Sequence, residues 1–157
     1  MQIFSKKIRI FGALVFVLVP SAAHAQTVSN IQTLNFGSAL ISDNNSQHSI
    51  TVGADGGYSA DPEIHFVTLP VEGVYQITGA TAFQVIDSIT VTVTTHPNSS
   101  GQTFTLDNFT VDAPAQVDGS GAATFTIGAR LRTSGTGSAY GFNTTYNGAF
   151  DVDVNLL

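Results

Sequence analysis

The sequence predicts an all-β domain, an antiparallel sandwich or barrel of about eight short strands, on three observations. Alternation of apolar and polar side chains with period two recurs along the chain, whereas no long segment keeps the apolar period of a helix, about 3.6 residues. Clusters of Gly, Pro, Asn, Asp and Ser punctuate the alternating runs, as turns between strands do. There is no cysteine, so such a fold is held without a disulfide, by its core and its backbone ladders alone.

Residues 1–25 stand apart from that pattern. Lys6, Lys7 and Arg9 precede an apolar stretch from Ile10 to Val19, followed by Pro20 and the small-residue site Ala23-His24-Ala25. These are the three parts of a secretory signal peptide, and cleavage after Ala25 makes Gln26 the first mature residue. The apolar run is about half the roughly 20 residues that span a bilayer, so a signal is expected rather than an anchor, with no transmembrane segment in the mature chain. With no cysteine at the cleavage point, a bacterial lipid anchor is not expected either. The mature chain is then 157 − 25 = 132 residues, which suits one domain. No internal repeat is present, which argues against a propeller or solenoid.

The strands follow in order. Residues 28–36 form the first candidate, with Val28, Leu34 and Phe36 on one parity that Ile31 breaks. Residues 49–52, 64–69 and 74–78 are short apolar-alternating runs bounded by turn residues. Ile89, Val91 and Val93 alternate with Thr90, Thr92 and Thr94, the pattern of a strand buried on one face. In residues 102–111, Phe104 and Leu106 share a face while Phe109 and Val111 take the opposite parity, so a bulge is expected near Asp107-Asn108. Phe125, Ile127, Ala129 and Leu131 alternate with Thr126, Gly128, Arg130 and Arg132. The clearest case is last: Tyr146, Gly148, Phe150, Val152, Val154 and Leu156 face one way, and Asn147, Ala149, Asp151, Asp153 and Asn155 the other. Turns are expected at 42–46, 54–57, 97–101, 113–121 and 134–141, and the Gly/Ser/Thr-rich residues 133–141 read as a long, mobile hairpin loop. Phe66, Phe83, Phe104, Phe109, Phe125 and Phe150 are spaced as core.

Composition removes several functions. Beyond residue 25 the only basic side chains are Arg130 and Arg132 against all 11 acids, a formal charge of 2 − 11 = −9. Nucleic acid is excluded as a partner, because counterion release from phosphates needs Lys and Arg. Docking on anionic lipid is excluded on the same ground. The absence of cysteine also removes thiol catalysis and Cys-based zinc sites.

What remains of reactive chemistry is sparse, and no catalytic, metal or cofactor site is expected. No HExxH or GxSxG motif occurs among the residues around His48, His65 and His96. Glu63 and His65, two apart on one strand face, offer two metal ligands without a third, and the wet face of an edge strand explains the pair equally well. His96 precedes Pro97 in an expected turn. Asp151 and Asp153 share a face, as paired carboxylates for acid/base work do, yet Asn147 and Asn155 beside them mark a solvated outer face that deters edge pairing. Asp118-Gly119-Ser120-Gly121 lacks the alternating acids and closing Glu of a calcium loop and reads as a turn. The Asn-x-Ser/Thr triplets at Asn44, Asn98, Asn108 and Asn143 are expected by chance in so Asn-, Ser- and Thr-rich a chain.

Several segments carry a resemblance in order: Leu34-Asn35-Phe36-Gly37, Thr51-Val52 leading to Asp55-Gly56-Gly57, Tyr75-Gln76-Ile77-Thr78-Gly79, Asp107-Asn108-Phe109-Thr110, Phe125-Thr126-Ile127-Gly128, and the closing Tyr146-Asn147-Gly148-Ala149-Phe150-Asp151-Val152-Asp153-Val154-Asn155. Over residues 34–157 the chain resembles a family of short, exported, cysteine-poor proteins of Gram-negative bacteria known only as a domain of unknown function. It departs from that pattern at Gly128-Ala129, where the family has Gly-Gly, and at Leu156, where the family has Tyr. Such proteins are similar to fimbrial (pilus) subunits, which implies an immunoglobulin-like sandwich, a structural role and no transferred catalytic residue.

The resemblance implies an exported, non-enzymatic subunit or tip of a surface fibre, in the periplasm, on the cell surface or outside the cell. Assembly would be by β-strand complementation, with self-association into a fibre or a periplasmic chaperone and usher as partners. Phe150, Val152, Val154 and Leu156 would line the acceptor groove. Residues 26–34, with Val28, Ile31 and Leu34, are either the donor strand or the domain's own first strand, and both readings stay open. The alternative function is a stand-alone secreted or periplasmic module that binds a glycan or envelope protein through residues 42–46 and 133–146, with Tyr140, Phe142 and Tyr146 as stacking candidates or as hairpin packing. A hydrolase built on Glu63/His65 or Asp151/Asp153 is not expected, because no nucleophile, base and orienting group occur together.

Overall fold

The computed structural model describes residues 26–99 and 101–157. The expected signal peptide, with Ala23 and Ala25 of its cleavage site, lies outside the described residues. These hold eleven strands and no helix: β1 (Thr27–Gln32), β2 (Ser38–Ile41), β3 (Ser49–Val52), β4 (Tyr58–Ala60), β5 (Ile64–Thr68), β6 (Gly73–Thr78), β7 (Ile86–Ser99), β8 (Gln102–Thr103), β9 (Thr105–Asp112), β10 (Ala123–Arg132) and β11 (Asn147–Leu156). All pairs are antiparallel. One sheet runs β1-β6-β10-β3-β4 with β9 also on β10, a second runs β11-β7-β8, and β2-β5 form a separate ribbon. The sheets do not close into a barrel, which decides for the sandwich.

β2 and β4, of 4 and 3 residues, lie beyond the expected set, and the strand expected at 102–111 is divided between β8 and β9. The expected turn at 97–101 is a correction. β7 continues through the buried Pro97 to Ser99, and its ladder with β11 shifts there, with Asn98 opposite Asn147 and Thr95 opposite Ala149. A bulge is where a strand tolerates a proline. Gly148 opposes it because a Cβ there would stand 2.8 Å from the Pro97 ring. His96 is accordingly a strand residue, and its Nδ1 accepts the Leu106 amide at 3.1 Å.

β10 organises the larger sheet. Along one edge it pairs with β6 through residues 123–127 and with β3 through residues 129–132. Gly128 stands where those neighbours part, with the backbone of Val52, Gly53 and Ala54 in the space a side chain would need. On the other edge, two residues of β9 oppose Ala129, because Thr110 pairs with Gly128 and Asp107 with Arg130. This is the expected bulge, at Asn108-Phe109, with Asn108 at φ 50°.

Apolar side chains between the layers form two clusters. One gathers Leu34, Val52, Phe104, Leu106, Ala129 and Leu131, and the other Tyr75, Ile77, Val117, Ala123, Phe125 and Ile127. Phe109 and Phe150 pack against both and join them. Phe83 is not core as expected: it lies 63% exposed in a turn at φ 59°. Residues 133–146 do not form a hairpin loop either, since β10 and β11 lie in different sheets and the segment crosses between layers.

Candidate functional site

The edges of the sandwich come first. Among the described residues β11 pairs only with β7 and β1 only with β6, so each presents a row of backbone groups on its other side. On β11, Phe150, Val152, Val154 and Leu156 are half-buried on one face while Asp151 and Asp153 are exposed on the other, opposite Thr92 and Thr90. The Gln26 side-chain amide donates to the Val154 carbonyl at 3.4 Å, so that carbonyl points to the free edge and the start of β1 lies beside it. The ladder keeps register from Phe150 to Asn155. With period two, the backbone groups of Phe150 and Val152 therefore point the same way.

Residues 27–32 pair with β6, from Thr27 opposite Thr78 to Gln32 opposite Val74. Val28 packs into the same cluster as Val152 and Val154. Ile31 sits at an irregularity between Asn30 and Gln32 and is 59% exposed, which accounts for its broken parity. Leu34 enters the other cluster. Val28, Ile31 and Leu34 thus point to three different surroundings rather than forming one row. Burial pushes the Tyr75 hydroxyl above its ordinary value, and a hydrogen bond with Asn30 of β1 opposes that in part.

The loops at 42–46 and 133–146 do meet, through a residue the sequence left as chance. Asn44 is buried, donates to Ser134 Oγ at 3.1 Å and Ser138 O at 2.7 Å, and accepts from Gly135 N at 3.0 Å and, on its backbone carbonyl, from Gly137 N at 2.7 Å. Tyr140 stacks on Phe104 at 4.2 Å and Tyr146 meets it edge-on at 5.0 Å. The Tyr140 hydroxyl also bonds Ser134 N and Thr103 O. Both rings are packing, and of the three aromatic candidates only Phe142 projects, 82% exposed.

Glu63 and His65 are not brought together. Glu63 turns to the buried His48, with Oε2 3.2 Å from Nδ1, while His65 is exposed on β5. Asp61 and Asp43 also approach the His48 ring at 4.0 Å, and Ser46 Oγ at 3.2 Å. His48 further anchors the start of the crossover, its amide bonding Thr133 Oγ1 at 2.9 Å and its carbonyl accepting Thr133 N at 2.8 Å. Nothing near His48 in sequence marks it as buried, because Glu63 and Thr133 lie far along the chain. Among the described residues no group of three or more His, Asp or Glu is arranged to hold a metal ion. Asp118 closes its turn by accepting from Ser120 Oγ at 2.6 Å, Ser120 N at 2.8 Å and Ala122 N at 3.0 Å. Those bonds, the Ser120 hydroxyl first, hold its carboxyl below the ordinary range.

With this geometry in place, a family model described as a domain of unknown function, DUF4402, matches residues 26–156. The chain belongs to the DUF4402 family. The match spans β1 to β11, so the DUF4402 region takes in both edge strands and the crossover between the layers. No curated protein and no solved structure matches the chain. Among the described residues of this DUF4402 protein, no helix is long and apolar enough to cross a membrane.

Proposed function

We propose that this DUF4402 protein is an exported structural subunit of a surface fibre, assembled by β-strand complementation. The observation that carries the reading is β11: a ten-residue edge strand whose inward apolar row, Phe150 to Leu156, is only half-covered, although the facing row of β10 is buried. Such an edge is a template for a strand supplied by another chain. Asp151 and Asp153 on its outer face discourage two β11 edges from pairing with each other, by like-charge repulsion. Export rests on the signal pattern that ends at Ala25, and the partners are other copies of the chain, with a periplasmic chaperone and usher to cap and order the strands. The test is extraction of the surface fraction from cells that express the chain. Heat-labile, detergent-resistant multimers are expected, and monomer alone at every load contradicts the proposal.

A stand-alone binding module for a glycan or envelope protein is the second reading. It is favoured by the exposed Phe142 on a crossover that Asn44 ties down. Binding of surface glycans that is lost in Phe142→Ala, from a chain that stays monomeric, selects this reading over the first.

A further inference from the structure

The geometry points to the outer face of the β2-β5 ribbon as a contact between two copies of the chain, packed ribbon to ribbon across a two-fold axis. This surface is distinct from the β11 edge, and the contact does not depend on strand complementation.

Residues 64–71 are apolar except for His65 and Thr68, the near-continuous pattern of a strand covered on both faces. Here only one face is covered. Ile64 and Pro70 are buried and Phe66 is half-buried, whereas His65, Val67, Leu69 and Val71 are exposed, Val67 by 70% and Leu69 by 60%. Leu40 of β2 stands opposite His65 in the ladder and is exposed with it. Among the described residues β2 and β5 pair only with each other, so the ribbon carries this row apart from both sheets. A contiguous outward patch of large apolar side chains marks a contact with another molecule.

The charges around the ribbon say which molecule. Residues 36–42 and 64–71 hold no acid, although residues 26–157 carry 11. The four acids that border the ribbon all turn elsewhere. Glu63 Oε2 lies 3.2 Å from His48 Nδ1, Asp61 Oδ2 accepts the Ser49 amide at 2.8 Å, and Asp43 Oδ1 accepts the Asn45 amide at 3.1 Å. Glu72 Oε2 lies 3.4 Å from the place of a Cβ on Gly56, in the turn between β3 and β4. A second copy is the occupant for which this clearance matters, because it brings a formal charge of 2 − 11 = −9 to a surface of the same sign. A basic partner would be drawn to a face that keeps its acids, and anionic lipid finds no cation here to hold it. The exposed Phe83 lacks the same clearance, since it sits in the turn of Asp118, whose carbonyl accepts its amide at 3.2 Å. One patch serves on both copies, so the contact is self-complementary and closed. Within a fibre it joins subunits side by side and adds nothing to the length.

The cysteine-free chain permits a direct test. Leu69→Cys and Phe142→Cys variants of residues 26–157 are each treated with a short bis-maleimide and run in denaturant. A covalent dimer is expected from Leu69→Cys and no more than collisional background from Phe142→Cys, although Phe142 is the more exposed residue. Adding Val67→Glu to the Leu69→Cys chain lowers the dimer yield by about tenfold, because like charges then face each other across the axis, while circular dichroism shows the fold unchanged. Equal dimer from the two cysteine variants, or a yield that Val67→Glu leaves as it was, overturns the inference. Loss of this dimer leaves multimers built through β11 in place, so the two proposals fail separately.

Discussion

Phe150→Ala is the substitution that weighs most directly how the two layers are joined. Phe150 lies on β11 and reaches both apolar clusters. Its ring sits 6.3 Å from Tyr75 and 5.2 Å from Phe109, centroid to centroid. Truncating a fully buried Phe costs about 3–5 kcal/mol. Phe150 is half-buried, so roughly 2 kcal/mol of that applies, and the loss of two ring pairs adds about 1 kcal/mol. The expected total is about 3 kcal/mol, a large share of the roughly 5–15 kcal/mol that stabilises a typical domain. For a domain of about 130 residues, with about 2.1 cal/mol/K of unfolding entropy per residue, this lowers Tm by about 10 °C. Urea unfolding of residues 26–157 followed by circular dichroism gives the difference from the midpoint, provided the slope is unchanged. Phe142→Ala, at a residue 82% exposed, serves as the control and stays within about 0.5 kcal/mol. If Phe150→Ala costs less than about 1 kcal/mol, the β11 row does not seal the layers and the reasoning fails.

Three further outcomes follow from the same geometry. Burial raises the Asp107 pKa, but the hydrogen bonds and charges of Arg130 and Arg132 outweigh it and hold the carboxyl below its ordinary value. That contribution is present above an unfolded value of about 4 and is lost as pH falls through the lower folded one, so Asp107→Asn, by about 1–3 kcal/mol at neutral pH, destabilises the protein and flattens its acid denaturation curve. Gly128→Ala forces a Cβ against the Val52-Gly53-Ala54 backbone and lowers stability by about 1–3 kcal/mol or more in thermal melts. Because copies of residues 26–157 repel through a formal charge of 2 − 11 = −9, light scattering shows more assembly at about 0.5 M salt than at 0.01 M, as the Debye length shrinks from about 30 Å to a few Å.

The legible parts of the fold were those where one side of a strand is buried over many residues. β10 and β11 show complete alternation, and the parity change between Leu106 and Phe109 placed the β9 bulge within a residue. β2 and β4 left no such trace, because β2 turns the apolar Leu40 outward and β4 the aromatic Tyr58, so neither alternates in polarity as it does in burial. The crossover from β10 to β11 looked like a hairpin because nothing in residues 133–146 records which sheet comes next. Of the candidate edge, the β11 row was legible as an amphipathic face. Its position beside Gln26 was not, since that depends on how the two sheets stack. The surroundings of Asn44 and His48 were invisible for a different reason: Glu63, Thr133 and Ser138 reach them only through tertiary contacts, and a polar residue in a turn carries no local mark of burial.

The central claim, assembly through exchangeable edge strands, is tested most directly by size-exclusion chromatography with light scattering across a range of concentrations on residues 26–157, with negative-stain microscopy of every fraction above monomer mass. The account predicts a concentration-dependent series of multimers ending in fibres. A sharp monomer at every concentration and salt would show that the sandwich closes on its own and would contradict it.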